Sequence, residues 1–407
     1  MQQSVGRCPG LVSGGRPTVS CSLAQAHAEG KAKVWRLART GNIAGLTLQE
    51  DVLPSPKAGQ ATVAVKAIGI NFADVFTCLG LYQAAPKENV IPGLEFAGVI
   101  TDLGQDSTSS QETYPQLADS KSHSGHSIPK TELQIGDQVL GACRFGSYAT
   151  GLNVSTQQLL KMPEGWSFVQ GAAFLVQSLT AYYGLKSLGD IKEGSCVLVH
   201  SAAGGCGMNA LAICLAVGAT PVGTVGSPDK VRVILERFPT LQPEQIIVRN
   251  LAQYTQQLQS ALQSVSKEGF DIVLDAVSGE YFQPSYDAMA RGGRHVIFGA
   301  ANWTPTGDKP GWLRLAWQFL RRPRLDPISM IGDNKSIMAF NLIWMFDKAL
   351  ELANLATELQ ELHLPPPHVG ETFSFDDAPS ALRRLQTGKT VGKVVLEVGD
   401  KCTTGLS

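Results

Sequence analysis

Residues 196–219 read CVLVHSAAGGCGMNALAICLAVGA. An apolar run ending at His200 leads into three glycines, Gly204, Gly205 and Gly207, and a helical pattern follows. Glycine where a buried strand turns into a helix serves a tight turn or lets a ligand approach the backbone. In a doubly wound sheet the first such turn carries a dinucleotide pyrophosphate on the helix N-terminus, with the pattern GxGxxG. The six corresponding residues here are Ala202, Ala203, Gly204, Gly205, Cys206 and Gly207, so alanine replaces the first glycine. Gly204 is expected to admit the phosphates to the backbone, and Gly207 to let the helix pack on the strand.

The surroundings support that placement. After the glycines, TPVGTVGS, QIIV, FDIVLDAV and GRHVIFGA read as strands, separated by the helical runs PDKVRVILERF, YTQQLQSALQSVS and YFQPSYDAMA. Strands and helices alternating at this spacing imply a parallel sheet covered on both faces. Residues 171–326 are therefore assigned to a nucleotide-binding Rossmann domain. Residues 33–170 differ, with β-branched and alternating runs between Gly-Pro turns, and are assigned to a β-rich domain. A polar stretch, 105–130, interrupts it as an insertion too hydrophilic to bury. Residues 327–407 hold a helix expected at Phe346–Leu362 and then a strand, helix and strand that return to the first domain. Residues 1–32 contain no acid before Glu29 and read as a disordered extension or as an organelle transit peptide.

Bulk properties exclude several classes. The chain has 407 residues, 43% of them hydrophobic, and a net charge of -1, which gives no basic excess for nucleic acid. No uninterrupted apolar run is long enough to span a membrane. Eight scattered cysteines form no CxxC pair, which reads as reduced thiols in an intracellular, cytoplasmic protein, or in an organelle if the N-terminus is a transit peptide.

The strand after the glycine turn ends at Gly226-Ser227, without the carboxylate that holds the ribose 2′-hydroxyl of NAD. Lys230 follows three residues later, with Asp229 beside it, and Arg249 arrives at the same sheet edge. Ser227, Lys230 and Arg249 are candidate contacts for a 2′-phosphate, so the cofactor expected is NADPH.

In its motifs and their order, the chain resembles the medium-chain dehydrogenase/reductases, in their zinc-free quinone oxidoreductase branch. The resemblance rests on INFADVFTCLGLY (70–82), IPGLEFAGVI (91–100), GDQV (136–139), SLTAYYGL (178–185), LVHSAAGGCGMNA (198–210), GTVGSPDK (223–230) and TVGKVVLEV (390–398). GAANWTP and DNKSIMAFNLIWMF are most similar to proteins related to the vesicle amine transport protein. The resemblance implies a GroES-like β-barrel catalytic domain interrupted by the Rossmann domain, and a homodimer. It also implies that Thr180, Phe298 and Gly299 line the cofactor, with Lys393 in the TVGKVV match.

Zinc-dependent relatives carry Cys, His and Cys where this chain has Asn71, Leu94 and Val176. Leucine and valine cannot bind zinc and an amide is a poor ligand, so no metal is expected. Without a Lewis acid, the fitting acceptors are quinones and conjugated enones, which take hydride with charge delocalised onto an oxygen. Asn71 is the expected donor to that oxygen, and Asp74 is expected to anchor its loop. Many relatives have tyrosine where this chain has Phe76, and Tyr82 is the candidate substitute. A competing reading is a membrane-associated protein of the same fold with little catalytic role. Residues 311–327, GWLRLAWQFLRRPRLDP, interleave tryptophan and arginine as an interfacial helix does, and give a candidate membrane contact.

Overall fold

The computed structural model describes residues 30–104 and 132–399. The N-terminal extension up to residue 29 and the insertion 105–130 lie outside the described residues. Strands are numbered in chain order. The first eight are β1 (Lys31–Arg39), β2 (Leu46–Val52), β3 (Gln60–Gly69), β4 (Glu88–Val90), β5 (Glu95–Leu103), β6 (Gln138–Ala142), β7 (Gly151–Ser155) and β8 (Leu159–Lys161). They form the β-rich half, with β1 between β2 and β4, and β3 paired with β5 and β7.

The second half holds β9 (Cys196–Val199), β10 (Thr220–Val225), β11 (Ile246–Val248), β12 (Phe270–Asp275), β13 (Met289–Ile297) and β14 (Ser336–Ala339). They lie in the order β11-β10-β9-β12-β13-β14, all parallel. This is the doubly wound order, which reverses direction between β9 and β12. Every residue of β9 is buried: Val197 and Val199 face one core, Cys196 and Leu198 the other. Burial on both faces is why the strand reads as a continuous apolar run. The helix Gly205–Ala216 is buried from Gly207 to Cys214 and packs against the helix Leu175–Tyr182, whose eight residues are all buried.

The last two strands, β15 (Val369–Ser374) and β16 (Lys393–Glu397), join the first half, where β16 pairs antiparallel with β3. The structure thus corrects the domain boundary expected at 326/327. Ser336–Ala339 pairs with β13, so the parallel sheet keeps the chain beyond 327, and the return comes only at β15. The long helix begins at Ala349, later than expected, because a 3-10 segment occupies Leu342–Asp347.

Candidate active site

A cleft of about 490 Å³ opens between the halves, at the carboxyl ends of β9, β12 and β13. A topological switch point is where an open α/β sheet offers room for a ligand, because the connections there run to opposite faces. Asn71, Tyr82, Thr180, Gly204, Gly205, Cys206, Gly207, Phe298, Gly299 and Lys393 all line it.

The glycine turn shows a different reason at each glycine. Gly204 is extended, and a Cβ there would meet only the Ser201 carbonyl, at 3.2 Å, leaving this backbone open to the cleft. A Cβ on Gly205 would collide with the Gln177 side chain, and one on Gly207 would lie 2.3 Å from the Ser201 oxygen. The turn is made left-handed by Ser201, at φ 53, one residue before the alanine that replaces the first glycine. The amide groups of a helix N-terminus and an unobstructed turn fit a pyrophosphate. Burial pushes the Cys206 thiol up to about 12, so it stays protonated in the turn.

Beneath the cleft lies a buried ionic cluster. Lys393 is 1% exposed, and its Nζ donates to Glu95 Oε1 at 2.5 Å and to Asn71 Oδ1 at 2.7 Å. Glu95 also accepts from Asn71 Nδ2 at 3.0 Å and, through Oε2, from the Val176 amide at 2.9 Å. Asn71 Nδ2 gives its other hydrogen to the Gly69 carbonyl at 3.3 Å. Both amide hydrogens of Asn71 are therefore committed, which corrects its expected role as donor to an acceptor oxygen. An ammonium has three hydrogens; Glu95 and Asn71 take two of those of Lys393, which lines the cleft.

Tyr82 reaches the cleft and donates to Asn341 Oδ1 at 2.8 Å, with Phe145 edge-on to its ring. Burial pushes its phenol up to about 12. Thr180 lines the cleft, but its hydroxyl donates to the Val176 carbonyl of its own helix at 2.7 Å. Phe298 stacks on Phe340, with centroids 6.1 Å apart.

Asp74 does not touch the cleft. It is fully buried, and its Oδ2 accepts from the Asn71 amide at 2.8 Å and from the Tyr148 hydroxyl at 3.3 Å. It anchors the start of the helix Phe72–Cys78, so it is removed from the reacting groups. Burial, assisted by Glu95, raises its pKa from 3.8 to about 7 against the lowering effect of the Asn71 bond and Lys393. The native form thus holds a proton that the unfolded chain releases above about pH 4. The contribution of Asp74 to stability is therefore least unfavourable below that pH and worsens as pH rises toward 7. Asp74→Asn is expected to be more stable than wild type by roughly 3 kcal/mol at pH 8, with the gap closing at pH 4. Denaturant melts at both pH values test this, and an equal gap at both would refute it.

The adenosine side departs further from expectation. Ser227, Lys230 and Arg249 do not line the cavity. Arg249 lies behind the end of β10, where it donates to Thr224 Oγ1 at 3.3 Å and its guanidinium lies 5.3 Å from the Tyr281 ring centre. The Ser227 side chain donates to the Asp229 carboxylate. Lys230 is 9% exposed, and its ammonium donates to the carbonyls of Gly388, at 2.7 Å, and Thr390, at 3.0 Å. It is not a free surface cation.

Sequence reasoning missed Glu95, Gln177, His200 and Asn341. The lone acid in the otherwise apolar IPGLEFAGVI was a usable signal, since a buried carboxylate demands a partner. His200 lines the cleft and meets Ser285 Oγ at 3.1 Å, with burial lowering it to about 4, so it is neutral. Among the described residues, no three His, Cys, Asp or Glu side chains gather as metal ligands.

The chain is similar to known proteins in sequence and in fold. A family model described as alcohol dehydrogenase GroES-like domain matches residues 57–164, and one described as zinc-binding dehydrogenase matches 246–396. The synaptic vesicle membrane protein VAT-1 homolog of Mus musculus is 30% identical over 357 residues, covering 87% of this chain and 80% of its own. The human VAT-1 homolog-like protein has a TM-score of 0.69 at 24% identity, over 91% of this chain and 99% of that one. Mycobacterial Rv1454c, complexed with NADPH, has a TM-score of 0.71 at 24% identity, over 90% and 100%. A Pseudomonas syringae quinone oxidoreductase has 0.70 at 24%, over 90% and 100%. These likenesses establish the fold that the sequence implies, a GroES-like domain beside a parallel Rossmann sheet.

Proposed function

The chain belongs to the medium-chain dehydrogenase/reductase family, and from that premise and its cleft we propose that it reduces quinones or conjugated enones with NADPH, without zinc. The carrying observation is the cleft itself. A glycine turn that fits a pyrophosphate stands on one side, and an apolar chamber over the Lys393 ammonium stands on the other. NADPH, when bound, supplies the hydride. The glycine turn would hold its pyrophosphate. That Rv1454c is complexed with NADPH supports the cofactor.

The chain's own residues then do three things. Phe76, Leu94, Val176 and Phe340 line the acceptor side with hydrocarbon and exclude water. The remaining Lys393 hydrogen faces an acceptor oxygen and stabilises charge as it develops there. Tyr82, held by Asn341, fixes the rim. Leu94 and Val176 stand where ligands would be needed, which supports zinc independence. A panel of quinones and enones with purified protein should show NADPH oxidation with at least one acceptor. Metal analysis should give far less than one zinc per chain, and a chelator should leave turnover intact. Stoichiometric zinc, or no turnover with any acceptor, would sink this reading. The expected assembly is a homodimer, which sedimentation tests.

One observation favours a second reading, peripheral membrane contact. The helix Trp312–Leu320 is inside out: Gln318 faces the body and donates to the Asn302 carbonyl, while Trp312, Leu313 and Leu320 are 66%, 91% and 69% exposed. Arg321 lies over Trp317 at 4.4 Å, and no acid stands between Asp308 and Asp326. No described helix is long and apolar enough to cross a membrane. An exposed apolar face flanked by arginine suits an anionic lipid surface. Cosedimentation with anionic but not zwitterionic vesicles, lost in Trp317→Ala, is the expected result, and equal recovery without lipid would refute it.

A further inference from the structure

The Lys230 ammonium is occupied by two backbone carbonyls. Both acceptors, Gly388 O and Thr390 O, lie on the segment Gly388–Lys393, which follows the helix Ala378–Gln386 and leads into β16. Among the described residues no other donor reaches either carbonyl. The same segment touches the glycine turn: the Gly392 amide donates to the Ala203 carbonyl at 2.7 Å, and Gly392 bridges Gly204. Gly392 has φ +62, and a Cβ there would lie 2.2 Å from the His368 oxygen, so its backbone path is closely fixed. One residue on, Lys393 reaches across to Asn71 and Glu95 on the β-rich half.

Gly388–Lys393 is thus a strap that crosses the cleft floor. Two of its fastenings, at Lys230 and at Ala203, belong to the nucleotide-binding half. The last, through the Lys393 side chain, belongs to the acceptor half. We propose that Lys230 is a positioning residue, a clasp that fastens this strap to the nucleotide-binding half and thereby sets the placement of Lys393 in the acceptor chamber. Two of the three ammonium hydrogens make the clasp, and only the third remains for a nucleotide phosphate. Charge-assisted bonds to two carbonyls hold the strap. Lys230 therefore acts on the reaction through Lys393 with either nucleotide, in addition to any preference it gives between them. A lysine that served only as a phosphate ligand would act on NADPH alone.

The kinetic part of this inference rests on the reductase reading, and the structural part does not. Lys230→Met keeps the apolar stem and removes the ammonium; Lys230→Arg restores donors. Hydrogen exchange of the nucleotide-free protein should show the Gly392 amide exchanging about tenfold faster or more in Lys230→Met, as a local opening becomes easier, and protected again in Lys230→Arg. Steady-state kinetics should show kcat lowered by a similar factor with NADPH and with NADH, beyond any rise in KM for NADPH. The clasp is overturned if Gly392 exchange is unchanged in Lys230→Met. It is also overturned if that variant raises only the KM for NADPH and leaves kcat and all NADH parameters alone. If the wild type turns over with neither nucleotide, the reductase reading fails, while the exchange measurement still decides the clasp.

Discussion

Gly207→Ala is expected to lose nucleotide binding by roughly a hundredfold, the equivalent of about 3 kcal/mol of overpacking. The added methyl would lie 2.3 Å from the Ser201 oxygen and 2.6 Å from the Ala202 Cα. Both are backbone atoms of the turn between β9 and its helix, so relief means moving the turn that is to hold the pyrophosphate. The neighbouring glycines supply the controls. Gly205→Ala meets the end of the Gln177 side chain, which can swing aside, and should cost less. Gly204→Ala has only the Ser201 oxygen at 3.2 Å and should leave the fold's stability nearly unchanged, whatever it does to phosphate contact. Fluorescence titration with NADPH and thermal melts of the three variants test the ranking. Wild-type affinity in Gly207→Ala would falsify the assignment of this turn.

The second large effect is expected from breaking the buried ion pair. Lys393→Met leaves the Glu95 carboxylate buried without its cation, which costs about 3–5 kcal/mol. The double variant Glu95→Gln/Lys393→Met removes both charges and should recover most of that stability. Turnover should stay lost in both, because the hydrogen offered to the acceptor oxygen is gone. Denaturant unfolding measures the first quantity and kcat the second. Recovery of turnover in the double variant would show that Lys393 matters only for folding.

Much of this architecture was legible because burial leaves a period in the sequence. The parallel strands are short apolar runs between amphipathic helices, and their order follows from the alternation. β14 was missed as part of that sheet because it has four residues, none of them buried, and so carries little pattern. The glycine turn was legible residue by residue, except that Gly205 is needed for Gln177, a contact no local spacing encodes. The polar cluster was least legible. Lys393 and Glu95 are 298 positions apart, and Lys230 and Gly388 158 apart, so their pairing exists only in the fold. A lysine near a strand end reads as a phosphate ligand until the carbonyls that occupy it are seen. Asn71 likewise reads as a free donor until its partners are placed.

The pairing of β16 with β3 also sets an order of events in biosynthesis. The parallel sheet, from β9 to β14, is contiguous in the chain and has all its strands once residue 339 has left the ribosome. The β-rich half cannot close its sheet until β16 emerges, because Val395 pairs with Gly69 and Leu396 with Ile68. Domains fold as units while synthesis proceeds, and contacts of long sequence separation come late. The nucleotide-binding half is therefore a finished scaffold waiting for its other half. The strand that completes the β-rich sheet is the one that delivers Lys393, so a chain stalled or clipped before that strand would carry a nucleotide fold without a floor to its cleft.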